Sequence, residues 1–453
     1  MRRTYKVRRN DEGEAQRRRW TFYEAIKFKA RVAGTGGVGK SPPAFFRRPG
    51  NGNKGLMPQA LEDIKVLDLS RVLAMPYCSM MLGDLGAEII RVERPGVGDE
   101  TRHWGPPWAG DQSAYYLCTN RNKKSITVDL KKKEGQAIIH RLAQRSDVLL
   151  ENFLPGSLAE MNLGYENIKA INPKIIYASV TGYGQDGPYR DLPGFDFIIQ
   201  AQGGLMSIIG EADGPPMKVG VAIVDITAGL FACSAILAAL HYREKTGTGQ
   251  RIDIALLDSQ VAWLANQASN YLISGKVPWR SGNAHPNIVP YETFQAKDGI
   301  YIALGVGNDN QWRKFCKLAQ LEYLMDDPRY ATNPQRVANR KELVSFLQKI
   351  FLEKNSEEWL KLLAAAEIPC GPINTIDRVF ADPQILARQM VVEMEHPVTG
   401  KYKVVGSPMK LSQTPVQYQI PPPLLGEHTE ELLREVLGYD QVRIDRLKEE
   451  KVI

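Results

Sequence analysis

From about residue 60 onward, apolar positions fall into short runs that alternate with stretches of helical period. Apolar runs of four to eight residues rich in Val and Ile favour strands, and a spacing of three to four favours helices. The pattern predicts strands over 64–69, 87–93, 125–129, 147–150 and 174–180, with helices over 75–85, 134–145 and 165–171. Alternation of this kind builds an α/β sheet of parallel type. Past 251–256 the pattern changes: residues 279–286 read as an extended linker, followed by a strand and turn at 298–305 and helices near 311–319, 340–352 and 356–366. The expected organisation is a basic extension over 1–59, a large α/β domain over 60–279, a smaller α+β domain over 280–385, and a C-terminal segment over 386–453 ending in two polar helices.

The most apolar run lies between Lys218 and His241, and it carries one charge, Asp225. Ionised carboxylates are rarely buried unpaired, because desolvation disfavours the charged form. Two readings stand side by side. In one, 219–224 is extended and Asp225 opens the following helix as its N-cap. In the other, the helix dipole keeps a poorly hydrated Asp225 carboxylate ionised, and it is a nucleophile. The Gly, Thr, Ser and Asp content of the run argues against a membrane span.

The first turn, at 70–76, follows a strand and opens a helix but lacks the Gly-x-Gly-x-x-Gly of dinucleotide sites, which argues against NAD even though Glu93 ends the second strand. Arg94, Arg102, Lys123, Lys124 and Lys131 instead cluster after strand ends, as side chains holding several phosphates would. Asn152 and Phe153 leave a strand at the same edge as the turn-rich loop 181–188. Asp196 reads as the N-cap of its own helix.

Net charge changes this picture little. Of the formal +7, residues 1–59 contribute a surplus of eleven positive charges, so the remaining chain is at −4 and offers nucleic acid no basic footprint. Five scattered cysteines and six isolated histidines give no disulfide or metal pattern. The stretch Gly34–Ser41 matches the phosphate-loop pattern, but Pro42 and Pro43 prevent the helix that such a loop requires. Residues 16–33 interleave basic and apolar positions as a mitochondrial transit peptide does, although Asp11, Glu12 and Glu14 are foreign to such leaders; the alternative location is the cytoplasm.

Several longer motifs coincide. They are Val-Leu-Asp-Leu-Ser-Arg-Val-Leu-Ala-Met-Pro at 66–76, the run at 83–102, Asn-Arg-Asn-Lys-Lys-Ser at 120–125, Glu-Asn-Phe at 151–153, Ile-Pro-Cys-Gly-Pro-Ile-Asn at 368–374 and Leu-Gly-Glu-His-Thr at 425–429. Together they resemble the class III CoA-transferase family over about residues 60–453, and most of all its dicarboxylate members through 269–273, 288–291 and 394–397. The resemblance implies a Rossmann-like large domain built from N- and C-terminal segments, a smaller α+β domain and an interlinked homodimer. It implies that Asp225 is the nucleophile attacking an acyl-CoA thioester, with a free dicarboxylic acid such as glutarate as acceptor and succinyl-CoA as donor. CoA thioesters are then substrate and product, and no tightly bound cofactor or metal is needed. Carried over by motif, the CoA contacts are Leu73, Ala74, Arg94, Val128, Asp129, Leu130, Lys131, Asn152, Phe153 and Leu154. Formyl-CoA members have Gln where this chain has Leu73, and an Arg where it has Glu160, so formyl or oxalate chemistry is not expected. A racemase of the same fold would need a histidine at Phe195. The remaining alternatives are a non-enzymatic CoA-binding protein and an NTPase. Arg251 and Arg280 are candidate partners for the acceptor's distal carboxylate.

Overall fold

The computed structural model describes residues 58–453. The loop at 34–41 and the basic stretch at 16–33, with the expected leader, lie outside the described residues. The described chain forms two compact units. One holds Gly210–Pro215 and Arg280–Val379; the other holds residues 58–209, Pro216–Trp279 and Phe380–Ile453.

In the larger unit the elements run β1 (Lys65–Asp68), α1 (Ala74–Asp84), β2 (Glu88–Glu93), β3 (Lys124–Thr127), α2 (Lys133–Ala143), β4 (Val148–Glu151), α3 (Tyr165–Ile171), β5 (Ile176–Thr181), α4 (Asp196–Gln202), α5 (Ile223–Thr246), β6 (Arg251–Ala255), α6 (Leu256–Trp263) and α7 (Ala265–Ser274). The strands lie in the order β3-β2-β1-β4-β5-β6, and every neighbouring pair is parallel. This is the doubly wound Rossmann-like order, with its switch point between β1 and β4. The expected α/β class with a parallel sheet is therefore the one observed. Strands buried on both faces read as continuous apolar runs, and all six residues of β5 are buried accordingly.

In the smaller unit, β7 (Tyr291–Gln295), β8 (Tyr301–Gly305) and β9 (Cys370–Pro372) form an antiparallel sheet, with α8 (Asp309–Leu318), α9 (Arg340–Phe351) and α10 (Ser356–Ala365) as its main helices. Its core stacks Phe294 on Phe351, with Trp312, Phe315 and Trp359 buried alongside. In the larger unit α11 (Thr429–Glu435) and α12 (Gln441–Glu449) complete one core: Leu432, Leu437 and Leu447 pack with Leu67, Leu149 and Tyr177. On the other face of the sheet, α1 and α5 bury Met75, Cys78, Val224, Ala228 and Ala232 against Val66, Leu150 and Ala178. By length and composition, α5 is the one helix among the described residues able to cross a bilayer; one of its faces packs into this core.

Candidate functional site

Because β3, β2, β1 and β4 are parallel neighbours, their carboxyl ends share one edge, spanning about 14 Å at ordinary strand spacing. That edge brings together the motif residues: Val128–Lys131 follow β3, Arg94 follows β2, Leu73 and Ala74 open α1 after β1, and Asn152–Leu154 follow β4. The last two groups flank the switch point, where open α/β sheets bind ligands.

The turn between β1 and α1 is held without glycine. Val72 adopts φ +66°, a left-handed conformation that a β-branched residue rarely takes. Buried carboxylates and one amide hold it there. Asp99 Oδ2 accepts the Val72 N–H at 2.9 Å, while Asn152 Oδ1 accepts the Arg71 N–H at 2.8 Å and its Nδ2 donates to the Arg71 carbonyl at 2.7 Å. Asp68, at the end of β1, accepts the Ser70 N–H at 2.9 Å and the Ser79 hydroxyl at 2.6 Å. Asp99 in turn is paired with the buried Arg91, whose charge is the main influence drawing the Asp99 pKa down against the cost of burial.

This network corrects the reading of the basic cluster. Arg94 and Lys131 are exposed at the edge. Arg102, however, donates to both oxygens of Glu93 at 2.7 and 2.6 Å, so neither that cation nor that carboxylate awaits a ligand. Lys123 is fully buried, donating to the Pro76 carbonyl at 2.8 Å and lying 3.8 Å from Asp68; burial brings its pKa down to about 7. Lys124 pairs with Glu88 and Glu431. Of the motif residues, Val128 is core, Asp129 closes its own turn by accepting the Lys131 N–H at 3.0 Å, and Leu154 is half exposed.

Asp225 sits in the first turn of α5, not at its cap. The helix begins at Ile223 and its cap position is Ala222, three residues earlier than the sequence suggests. Capping falls to Asp196, which is itself the first residue of α4 rather than its N-cap, a position held by Phe195. Asp196 Oδ1 accepts the N–H of Val224 at 2.8 Å and of Asp225 at 3.4 Å, and its Oδ2 accepts Gln200 Nε2 at 2.6 Å. The Asp225 carboxyl therefore makes no hydrogen bond or ion pair among the described residues. Burial, reinforced by the Asp196 charge, pushes its pKa up to about 7, against the pull that the helix dipole exerts towards the ionised form.

One turn along the same face of α5 lies Gly229. A Cβ there would come within 2.5 Å of the Ala74 carbonyl oxygen, so α5 crosses the head of α1 with backbones in contact. Asp225 lies one helical turn from this contact with Ala74. Two members of the site carry no mark in the sequence. Tyr115 is one: burial, then the Asp225 charge and after it Cys118 and Asp196, push its phenol pKa up to about 12, and its ring meets Trp104 edge-on at 5.1 Å. The other is Asp196 in its role as cap to a distant helix. Phe195, which stands where a racemase needs a base, is 64% exposed and has no proton to exchange. Among the described residues no group of three or more His, Cys, Asp or Glu side chains converges as metal ligands do.

The pattern of CoA-transferase family III matches residues 61–429. Succinyl-CoA:glutarate CoA-transferase of Mus musculus is 49% identical, covering 89% of this chain and 95% of the relative. Succinate–glutarate CoA-transferase of Agrobacterium fabrum is 48% identical, covering 83% and 95%. A crystal structure of a CaiB/BaiF family protein from Brucella suis superimposes with a TM-score of 0.73 at 44% identity, covering 83% of this chain and 99% of that one. A chain with this sheet order, these edge motifs and this extent of likeness belongs to CoA-transferase family III.

Proposed function

We propose that this protein transfers CoA from succinyl-CoA to a free dicarboxylic acid of the glutarate type, with Asp225 as nucleophile. The observation that carries the assignment of Asp225 is its unpaired, partly accessible carboxyl, one helical turn from the contact between Gly229 and Ala74. The ten edge residues from Leu73 to Leu154 are the proposed CoA contacts, and the names of the relatives support the choice of donor and acceptor.

The exchange runs in balanced steps. Asp225 attacks the thioester carbonyl, the C–S bond breaks, and CoA thiolate leaves a succinyl-aspartyl anhydride. The thiolate attacks the aspartyl carbonyl, releasing succinate and leaving an aspartyl-CoA thioester. The acceptor carboxylate expels the thiolate and forms a second anhydride, and thiolate attack on the acceptor's acyl carbon frees Asp225 and the new acyl-CoA. Each step trades one activated acyl bond for another, so no external energy source is consumed. Protonated Tyr115 is the proposed donor to the oxyanions.

The finer assembly is a homodimer. Its support is apolar surface on α5, α6 and α7: Phe231 is 41% exposed, Trp263 44% and Ile273 87%. Patches of this kind mark protein contacts. The basic, apolar-interleaved sequence over 16–33 supports a mitochondrial destination. The test of function is to mix purified protein with succinyl-CoA and a panel of free acids and to identify new thioesters by mass. New glutaryl-CoA is the expected product, and no new thioester with any acid would refute the assignment.

A further inference from the structure

On the face of the sheet opposite α5 a cleft of about 310 Å³ opens beneath the segment 154–167. Its floor is made by Glu151 at the end of β4, Tyr177 and Ser179 of β5, and Arg251 at the start of β6. Glu151 is paired in register with Ser179, and Tyr177 with Arg251, so these side chains share one face. Tyr177 belongs to the core under α11 and α12, whereas α5 packs with Leu150 and Ala178 on the other face. The sheet thus separates this cleft from the helix carrying Asp225.

The floor holds polar groups whose bonding capacity the chain leaves unused. Ser179 is 1% exposed, and its hydroxyl faces the Glu151 carboxyl without closing a hydrogen bond of ordinary geometry. Glu151, 5% exposed, accepts the Phe153 N–H at 2.8 Å. Buried polar groups are paired in all but a few cases, so an unused hydroxyl lining a cleft marks a place for a ligand atom. Burial pushes the Glu151 pKa up to about 7, against the pull of the Ser179 hydroxyl, the Phe153 N–H and then Arg251, so near neutrality this carboxyl can carry a proton and donate it to a hydrogen bond. Arg251 lines the floor and Arg190, whose guanidinium also pairs with Asp191 at 3.2 Å, is a further lining residue, with Leu154, Leu158 and Tyr165 as apolar walls. Guanidinium forks fit carboxylates, and the walls fit a short hydrocarbon chain.

We propose that this cleft binds a small organic carboxylate, apart from the exchange at Asp225, through Arg251, Ser179 and Glu151. Because Glu151 holds the Phe153 N–H and Leu154 lines the cleft, occupancy bears on the 152–154 turn; this consequence rests on the CoA-binding role proposed for that turn. The charged and titratable groups facing Glu151 are Arg251 and Asp253 of β6, Tyr177 of β5, and Arg190 and Glu166 along the lining. A bound anion favours the protonated form of Glu151, so affinity rises as pH falls through neutrality.

The test is calorimetric titration of the full chain with succinate, and separately with inorganic phosphate, each with free CoA at saturation. The expected result is one succinate per chain that CoA does not displace, bound more tightly at pH 6 than at pH 8, retained in Asp225→Asn, weakened at least tenfold in Arg251→Ala and severalfold in Ser179→Ala. Displacement by CoA, loss in Asp225→Asn, unchanged affinity in both cleft variants, or phosphate binding as tight as succinate would each overturn the proposal. Succinyl-CoA turnover, measured on the same preparation, reports separately on the proposed exchange.

Discussion

Asp196 caps the helix that carries Asp225: its Oδ1 accepts the Val224 N–H at 2.8 Å and the Asp225 N–H at 3.4 Å, and its charge raises the pKa of the Asp225 carboxyl. One acid does the structural work that frees the other. Replacing Asp196 by Asn keeps an acceptor near the helix amides but removes the charge, so the acid limb of the kcat/KM profile is expected to move to lower pH. Asp196→Ala loses the cap as well, at a cost of about 1 kcal/mol in stability. A pH profile that stays fixed in Asp196→Asn contradicts this account.

The same relationship sets a pH dependence of folding. The folded-state pKa of Asp225, about 7, lies above the ordinary 3.8, so between these values the native state holds more protons than the unfolded chain. Stability therefore falls as pH rises through this window, and the penalty is complete above about 7. Asp225→Asn is expected to unfold at a higher temperature than wild type, by more at pH 8 than at pH 5, with a gain of the order of 1 kcal/mol at the higher pH. Equal melting shifts at both pH values would show that the charge is not the cause.

Tyr115 is expected to act on turnover rather than on substrate capture. Tyr115→Phe keeps the ring against Trp104 but removes the proton donor, and kcat should fall about 10- to 100-fold with KM for succinyl-CoA little changed. Steady-state kinetics check this; an unchanged kcat removes Tyr115 from the site.

The Val72 turn offers the opposite signature. Asp99→Asn weakens the paired acceptor that holds a left-handed valine, so the turn proposed to bind CoA loosens, and KM for acyl-CoA is expected to rise about tenfold with kcat within about twofold. Adding Val72→Gly, which tolerates that φ without strain, should recover part of the loss. A second variant reports on the helix crossing: Gly229→Val places side-chain atoms against the Ala74 carbonyl and should cost about 2–3 kcal/mol, read as a lowered melting temperature.

Much of this arrangement was legible because it is local. The strands of the large unit have apolar runs between turn residues, and the expected β1–α1–β2 boundaries differ from the observed ones by at most one residue. Asp225 stood out because nothing else in its run is charged. What sequence could not supply was pairing at a distance. Asp196 looks like the cap of α4, and its service to α5 depends on how two helices approach each other. Lys123 and Arg102 look like solvated phosphate ligands until Asp68 and Glu93 are found against them. Arg251, expected near the acceptor acid, faces the sheet surface opposite α5, because the register of β6 against β5 sets its direction.

The proposed exchange requires that Asp225 form covalent intermediates. Its most direct measurement is mass analysis of protein quenched after mixing with succinyl-CoA in the absence of acceptor, followed by peptide mapping. The expected result is a CoA adduct on the Asp225 peptide that discharges when glutarate is added, with neither adduct nor exchange in Asp225→Asn. Exchange at the wild-type rate by Asp225→Asn, or an adduct mapping to another residue, would contradict it.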